Sequence, residues 1–443
     1  MDRNAFMERL LSLATEKGAE GAEAYYARGT AFEANVLSGE LDRYSVSRGM
    51  GVSVRVQVNG RDGYAYTELL DDPEKLVERA MENAACLFGD EPHPLQSPQT
   101  YRDVTPPASP LHELSEGERI DLALALERAT LRADPRVKRV SACCVETGEG
   151  EIAIRNTAGL SAGRRKRFAC CYVSPGVEEG GEVQTGLAFR MGPDAADAEG
   201  CAREAVEDAL SRLGGKPVPS GTYRVLLKNR ALADLLRAFS PMFSAEQAQK
   251  GCSLLAGKEG ALLAAPLVNL ADDPFDPVSP RAFDGEGTPC QRTPLIAGGR
   301  LVTLLHNLKT GRKAGVPSTG NASRATTASP VDVAPAVLTL EIGAGDLPAL
   351  MRKLGDGLLI TDLQGLHAGL STVSGDFSLK AGGRLVKDGL DAGPVTGITV
   401  AGNFLALLQS VTAVGADAAY GAPSGVSVKC PSVLIENLQV AGK

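Results

Sequence analysis

The chain has 443 residues, enough for two or three domains, and its 43% hydrophobic and 23% charged content is that of an ordinary globular protein. A net charge of −8 argues against general nucleic-acid binding, which needs a concentrated basic face. No run approaches the roughly 18 apolar residues of a membrane helix, and nine scattered cysteines, an odd number, do not make a disulfide framework.

The first segment is acidic and amphipathic, with Phe6, Leu10, Leu11 and Leu13 on one side. It lacks the basic start, apolar middle and small-residue cleavage site of a secretory signal, so it reads as a surface helix of a cytoplasmic protein. Four short β-like runs follow (AEAYYARG, AFEANVLSG, LDRYSVSRG and GVSVRVQVNG), separated by glycine-containing turns. Asn59-Gly60 marks a hairpin before YAYTEL, which makes the region an antiparallel meander. Asp71-Asp72-Pro73 then starts a helix to about Leu87, since aspartate caps and proline suits a first turn.

Residues 89–109 are rich in proline and polar groups and read as a linker, with His93 solvated within it. A second unit repeats the helix, meander, helix pattern. It has a helix near Ser115 to Arg132 and strands near 137–146, 151–156, 167–174 and 184–190. A helix near Ala195 to Arg212 closes it. Arg164-Arg165-Lys166-Arg167 is expected at the solvated end of a hairpin. The adjacent pairs Cys143-Cys144 and Cys170-Cys171 lie in β-like runs, where neighbours point to opposite faces, so neither pair is placed to chelate one ion and all four read as buried thiols.

Gly214 to Gly221 is the best domain boundary. Beyond it come a strand at TYRVLLK, a helix from Ala231, much glycine-punctuated β-structure and a late helix near Phe404 to Val414. The chain is therefore expected to be α+β, with a helix and antiparallel-meander region over 1–215, divisible near 89–109, and a mainly β domain over 216–443.

Chemistry is sparse. A zinc site usually needs three or four imidazole or thiolate ligands. The four histidines are His93, His112, His306 and His367, and His112-Glu113 has no second imidazole one turn on. Asp272, Asp273, Asp276, Asp284 and Glu286 form an acidic cluster that could hold a hard cation, but its spacing is not that of an EF-hand and its Asp-Asp-Pro and Asp-Gly-Glu-Gly pieces read as turns and caps. There is no G-x-S-x-G elbow, Walker motif or dinucleotide fingerprint. Cys290 reads as an unreactive thiol.

Five motifs in order carry a resemblance: LADDPFDP from Leu270, FDGEGTP from Phe283, STGNASR from Ser318, GLHAGLSTVSGDFS from Gly365 and VAGNFLALLQSVTAVGAD from Val400. In this order and spacing the chain resembles the TldD/PmbA family, a family also labelled modulator of DNA gyrase, and specifically its PmbA (TldE) branch. The resemblance implies an N-terminal α/β region, a largely β C-terminal domain, and dimers enclosing a cavity. It also implies a heteromeric protease that processes peptides and unfolded segments. In the TldD branch an HExxxH helix and a later cysteine bind zinc; the corresponding stretch here, AFSPMFSAEQAQKG from Ala238, holds no histidine, and only Glu246 remains as a carboxylate.

The resemblance thus implies no metal ligands and no cofactor in this chain, with zinc in a TldD-type partner. It implies a cleft role for the late glycine-rich segment. The candidates there are His367 and Asp376 as catalytic groups, and His367, Gly375 and Asp376 together with Ser318 and Asn321 as substrate contacts. The leading expectation is a non-catalytic subunit that completes a chamber and holds an extended peptide. Its partner is a TldD-type subunit, or a second copy of itself. The alternatives are a stand-alone homodimeric hydrolase built on His367, Asp376 and the acidic cluster, and a non-enzymatic peptide-binding dimer.

Overall fold

A computed structural model describes residues 2–86 and 92–443. The N-terminal part is built from α1 (Arg3–Glu16), β1 (Gly21–Leu37), β2 (Glu40–Val58), β3 (Arg61–Thr67), α2 (Pro73–Cys86), α3 (Glu116–Ala133), β4 (Val137–Asn156), β5 (Ser161–Glu179), β6 (Glu182–Thr185), β7 (Ala188–Met191) and α4 (Ala198–Leu210). The helix-meander-helix units do not stand apart, because β1 pairs antiparallel with β4 and joins both into one seven-stranded sheet, β3-β2-β1-β4-β5-β6 with β7 beside β5.

The meander has fewer and longer strands than its glycines suggest. Gly29 and Gly49 do not break it; they face each other in the β1–β2 ladder and continue both strands. Chain reversal needs backbone in the left-handed region, and that is found at Ser38-Gly39 (φ 57° and 83°) and Asn59-Gly60 (φ 50° and 70°), the two hairpin tips. Likewise the stretch expected as strands 137–146 and 151–156 is the single strand β4, running through Gly148 and Gly150. The basic run Arg164–Arg167 lies inside β5 rather than at a hairpin end, and Arg164 rests over the Phe283 ring, 5.7 Å from its centroid.

Alternation along the strands splits the sheet into two faces. On one, α1 and α2 cover Ala22, Ala24, Tyr26, Val52, Val54 and Val56, with Phe6, Leu10 and Val77 fully buried. Further along the same face, α3 and α4 cover Phe32, Val36, Val145 and Val173. Cys143, Cys171 and Cys201 pack in that second core, and Cys144 and Cys170 are also buried; all are free thiols, whereas Cys86 and Cys252 are exposed. Helix α3 starts with a reciprocal cap: Glu118 N donates to Ser115 Oγ at 3.3 Å and Ser115 N donates to Glu118 Oε2 at 2.7 Å.

The opposite face carries Tyr25, Ile152 and Ile154 and packs on Phe283 of the C-terminal part. There β8 (Gly221–Leu227) lies between the strands Gly357–Gln364 and Val433–Ala441. The strands Asp376–Lys387 and Leu390–Asn403 extend this sheet, and the pairing of Leu390–Asn403 back onto Val433–Ala441 closes a small barrel. A second six-stranded sheet centres on Leu270–Asp272 and Val337–Leu340. Helix α5 (Asn229–Phe239) fills the space between with Leu232, Leu235, Leu236 and Phe239, a spacing of three and four that makes one apolar stripe. Phe239 stacks on Phe404, ring centroids 4.5 Å apart. The late helix is shorter than expected, Phe404–Gln409, because Val411, Thr412 and Val414 are β-branched and Val411–Val414 pairs as a strand with Val433–Ile435. No described helix is long and apolar enough to cross a membrane.

Candidate functional site

The five acidic residues do not converge on one point. Asp272, 1% exposed at the end of its strand, accepts from Ala336 N (2.7 Å) and Val337 N (3.0 Å) on one oxygen and from the Asn321 amide (2.6 Å) on the other. Asp284 accepts from Glu286 N, Thr288 N and Ala322 N, each at 2.9 Å. Burial, and then the neighbouring Glu286, push its carboxyl up to about 7. Asp273 caps Phe275 N, and Asp276 takes the Tyr420 hydroxyl at 2.6 Å and Val278 N at 3.0 Å. The carboxylates mostly tie irregular backbone in place, satisfying N–H groups that no ladder reaches.

Ser318 and Asn321 belong to that scaffold. The Asn321 side chain is fully buried, its oxygen taken by Thr319 Oγ1 (2.7 Å) and its nitrogen by Asp272 and Ala334 O. Asn321 therefore braces the loop and is not free to touch a substrate, contrary to the expectation from its glycine-bearing context. Ser318 Oγ donates to His306 O at 3.1 Å and accepts from Gly320 N at 3.2 Å. Gly320 is required here: with φ 76°, a Cβ would stand 2.6 Å from Pro289 O.

His367 and Asp376 lie elsewhere, in and just after the loop 365–375. Leu366 and Leu370 anchor this loop on the main core, and His367 projects outward, exposed, with no hydrogen bond or ion pair among the described residues. Asn403 Nδ2 donates to Asp376 Oδ1 and to Ser374 O, both at 2.9 Å. The Asn403 bond, with help from Ser374, holds the Asp376 carboxyl below its ordinary value, so it is a poor proton donor near neutrality. Gly375 packs edge-on, with space for a Cβ closed by Asn403 at 3.0 Å and Leu254 at 3.1 Å. No hydrogen bond or ion pair among the described residues joins this loop to the acidic cluster.

The stretch from Ala238 forms the end of α5, a tight turn at Ser240–Phe243 and the short helix α6 (Ala245–Gln249). Ser244 caps α6. Glu246 meets Lys250 at 2.6 Å with one oxygen, and burial, together with the adjoining Asp332 carboxyl, raises its own carboxyl against the pull of Lys250. Beside it, Ala245 N donates to Leu305 O at 2.9 Å, so the next residue, His306, lies near α6. Its ring is 5% exposed, its Nδ1 lacks a partner, and burial lowers its affinity for a proton. Sequence reasoning missed His306 because no motif surrounds it; only its approach to α6 brings it forward. Glu246, its neighbour Asp332 and His306 do not make a zinc site: among the described residues no three His, Cys, Asp or Glu side chains are grouped to hold a metal ion.

His93 is not solvated. It is 5% exposed, and its Nε2 contacts Glu286, which is fully buried and accepts from Leu308 N at 2.9 Å. Burial opposes the charge of Glu286, but the contact with His93 and the Leu308 N–H outweigh it and hold the carboxyl below its ordinary value. The pair joins a wider web. Arg55, 2% exposed, reaches Glu23 at 3.3 Å and the carbonyls of His93 and Pro94; Glu23 in turn meets Arg324 at 2.5 Å. Arg324 Nε donates to Gly285 O at 3.0 Å, and Tyr101 OH to Gly287 O at 2.7 Å. His93, Pro94 and Tyr101 thus seat the linker between the sheet and the C-terminal part.

Comparison with known proteins places this architecture. Three family models match in succession: PmbA/TldA metallopeptidase domain 1 over residues 22–84, the central domain over 109–213 and the C-terminal domain over 220–442. A crystal structure described as a modulator of a DNA gyrase from Thermotoga maritima superposes with a TM-score of 0.92 at 32% identity, covering 99% of this chain and 100% of that one. TldE from Thermococcus kodakarensis superposes with a TM-score of 0.91 at 25% identity, covering 99% and 100%. The metalloprotease PmbA of Escherichia coli O157:H7 is 24% identical over 98% of this chain and 94% of its own length.

Proposed function

The chain belongs to the PmbA/TldD metallopeptidase family, and from that premise we propose that it is a PmbA/TldE-like subunit of a zinc peptidase that completes a substrate chamber without carrying out hydrolysis itself. The supporting observation is the donor set at α6. Where the TldD branch would present two zinc imidazoles and a glutamate base, this chain presents Ser244, Glu246 and Lys250, with Glu246 held by Lys250. A carboxylate without a metal-bound water has no nucleophile to activate.

In this reading zinc resides in a TldD-type partner, and the present chain supplies the binding wall. Extended peptides are held mainly by backbone hydrogen bonds, which tolerate many sequences. The loop 365–375 suits such a wall, being anchored by Leu366 and Leu370, braced by Asn403, and offering His367 outward. A stand-alone hydrolase built from His367, Asp376 and the acidic cluster draws no support, since Asp272 and Asp284 are consumed by backbone N–H groups away from that loop.

Zinc content and peptide hydrolysis of the purified chain, alone and mixed with a TldD-type protein, test this reading. The expected result is no stoichiometric zinc and no hydrolysis alone, with activity in the mixture. Chelator-sensitive hydrolysis by the chain alone overturns the reading.

A further inference from the structure

The helix-covered face of the N-terminal sheet has a gap. Helices α1 and α2 stop at Tyr26, and α3 and α4 begin their cover at Phe32. Between them two cross-strand rows lie under no helix on that face, Met50–Arg28–Glu151–Arg165 and Arg48–Thr30–Glu149–Arg167, with Met50 still touching the α1–α2 core and Thr105 and Pro106 of the linker beside them. The row between them, Gly49–Gly29–Gly150–Lys166, points to the other face, so its backbone forms the floor of a groove walled by the first two. The resulting cavity is about 770 Å³, within the range of ligand sites.

Its charge is one-sided. Glu151 is shared by Arg28 (3.1 Å) and by Arg3 of α1 (3.0 Å), and Glu149 is taken by Arg167 (3.0 Å). Arg48 and Arg165 are exposed and have no hydrogen-bond or ion-pair partner among the described residues. In a chain of net charge −8, this is a local excess of cations over two already neutralised carboxylates. The two free guanidiniums sit on opposite walls, one on β2 and one on β5, three strand intervals apart. At about 4.8 Å per interval across the strands and about 7 Å along them, the two positions are about 16 Å apart, the length of roughly four to five extended residues.

We infer that this groove is a binding site for an extended acidic peptide segment, lying across the strands with two carboxylates about four residues apart, one on Arg48 and one on Arg165. Guanidinium forks suit carboxylates, giving two parallel N–H···O bonds each. A polyphosphate carries charge all along its length and would run over Glu149 and Glu151, which lie between the two guanidiniums, whereas a peptide can hold two carboxylates apart with neutral residues between them. The site is on the face of the sheet opposite the junction with the C-terminal part, and it stands whether or not the chain acts with a zinc-bearing partner.

The experiment is a binding titration of the purified chain alone with the end-blocked peptide Glu-Thr-Gly-Thr-Glu, against the same peptide with both glutamates replaced by glutamine or by lysine. The glutamate peptide is expected to bind at least tenfold more tightly than the glutamine peptide, and the lysine peptide not at all. Arg48→Gln with Arg165→Gln should weaken it at least tenfold, while Arg48→Lys, which keeps the charge but loses the fork, weakens it about threefold. Both positions are exposed, and unchanged thermal unfolding of each variant confirms the fold. Equal binding of the glutamate and glutamine peptides overturns the proposal. So does a double variant within twofold of the parent, or displacement by pyrophosphate or a short oligothymidylate at equal concentration.

Discussion

His93 and Glu286 meet in a buried contact that joins the linker to the C-terminal part. Removing one partner of a buried pair leaves the other charge desolvated and unpaired, which generally costs about 3–5 kcal/mol. His93→Ala is expected to lower unfolding stability by that order in a denaturant titration, and the double variant with Glu286→Ala to recover part of the loss. A single-variant loss below about 1 kcal/mol would show that Glu286 finds compensation elsewhere, with Arg55 the nearest source.

The pH dependence of stability follows from the two neighbouring carboxyls, which act in opposite directions. Asp284 is raised to about 7, so in the folded chain it keeps a proton that the unfolded chain has already released between the ordinary aspartate range and that value. Its contribution therefore falls as pH rises toward about 7 and is constant above. Glu286 is lowered, so its contribution is present above the ordinary glutamate range and is lost as pH falls through its folded value. Asp284→Asn should flatten the decline on the approach to neutral pH; an unchanged slope in urea titrations across pH 4–8 would assign it to other groups.

Gly320 has φ 76° and no room for a Cβ, which would stand 2.6 Å from Pro289 O. Gly320→Ala combines backbone strain with a clash against main chain and should cost about 1–3 kcal/mol or more. Gly298 has φ 54° but nothing within 4 Å, so Gly298→Ala carries only the left-handed penalty of about 1 kcal/mol. Comparing the two melting temperatures isolates the steric part, and equal shifts would remove it.

His367 is exposed and unpartnered among the described residues, so replacing it leaves folding untouched. In the partnered complex His367→Ala should raise KM about threefold or more with kcat nearly constant, the pattern of a lost ground-state contact. A fall in kcat at constant KM would instead place His367 at the reacting bond. No change in either would exclude it from the cleft.

Local chemistry was legible in the sequence where one residue type decides the outcome. Asn59-Gly60 and Asp72-Pro73 each sit where turn and cap rules place them. Gly29 and Gly49 misled, because a glycine in a β-like run usually marks a turn, whereas here they face each other and keep both strands straight through the sheet. The α+β class and the acidic turns were readable from pattern. The burial of His93 was not, since its partner Glu286 lies far along the chain and only the folded seam brings them together. Asn321 was misjudged for the same reason: a polar residue beside glycine looks available until Asp272 and Thr319 claim both ends of its amide.

The pairing of β1 with β4 has a consequence for how the chain acquires its structure. Tyr25 meets Ile154 and Asn35 meets Cys144, contacts that span more than a hundred residues. Until β4 has been synthesised, β1 presents a bare hydrogen-bonding edge, open to pairing with any extended chain nearby. Ladders of such high sequence separation form slowly. A nascent or truncated chain ending after α2 would thus be the aggregation-prone species, and co-expression of residues 109–213 in trans is the natural rescue.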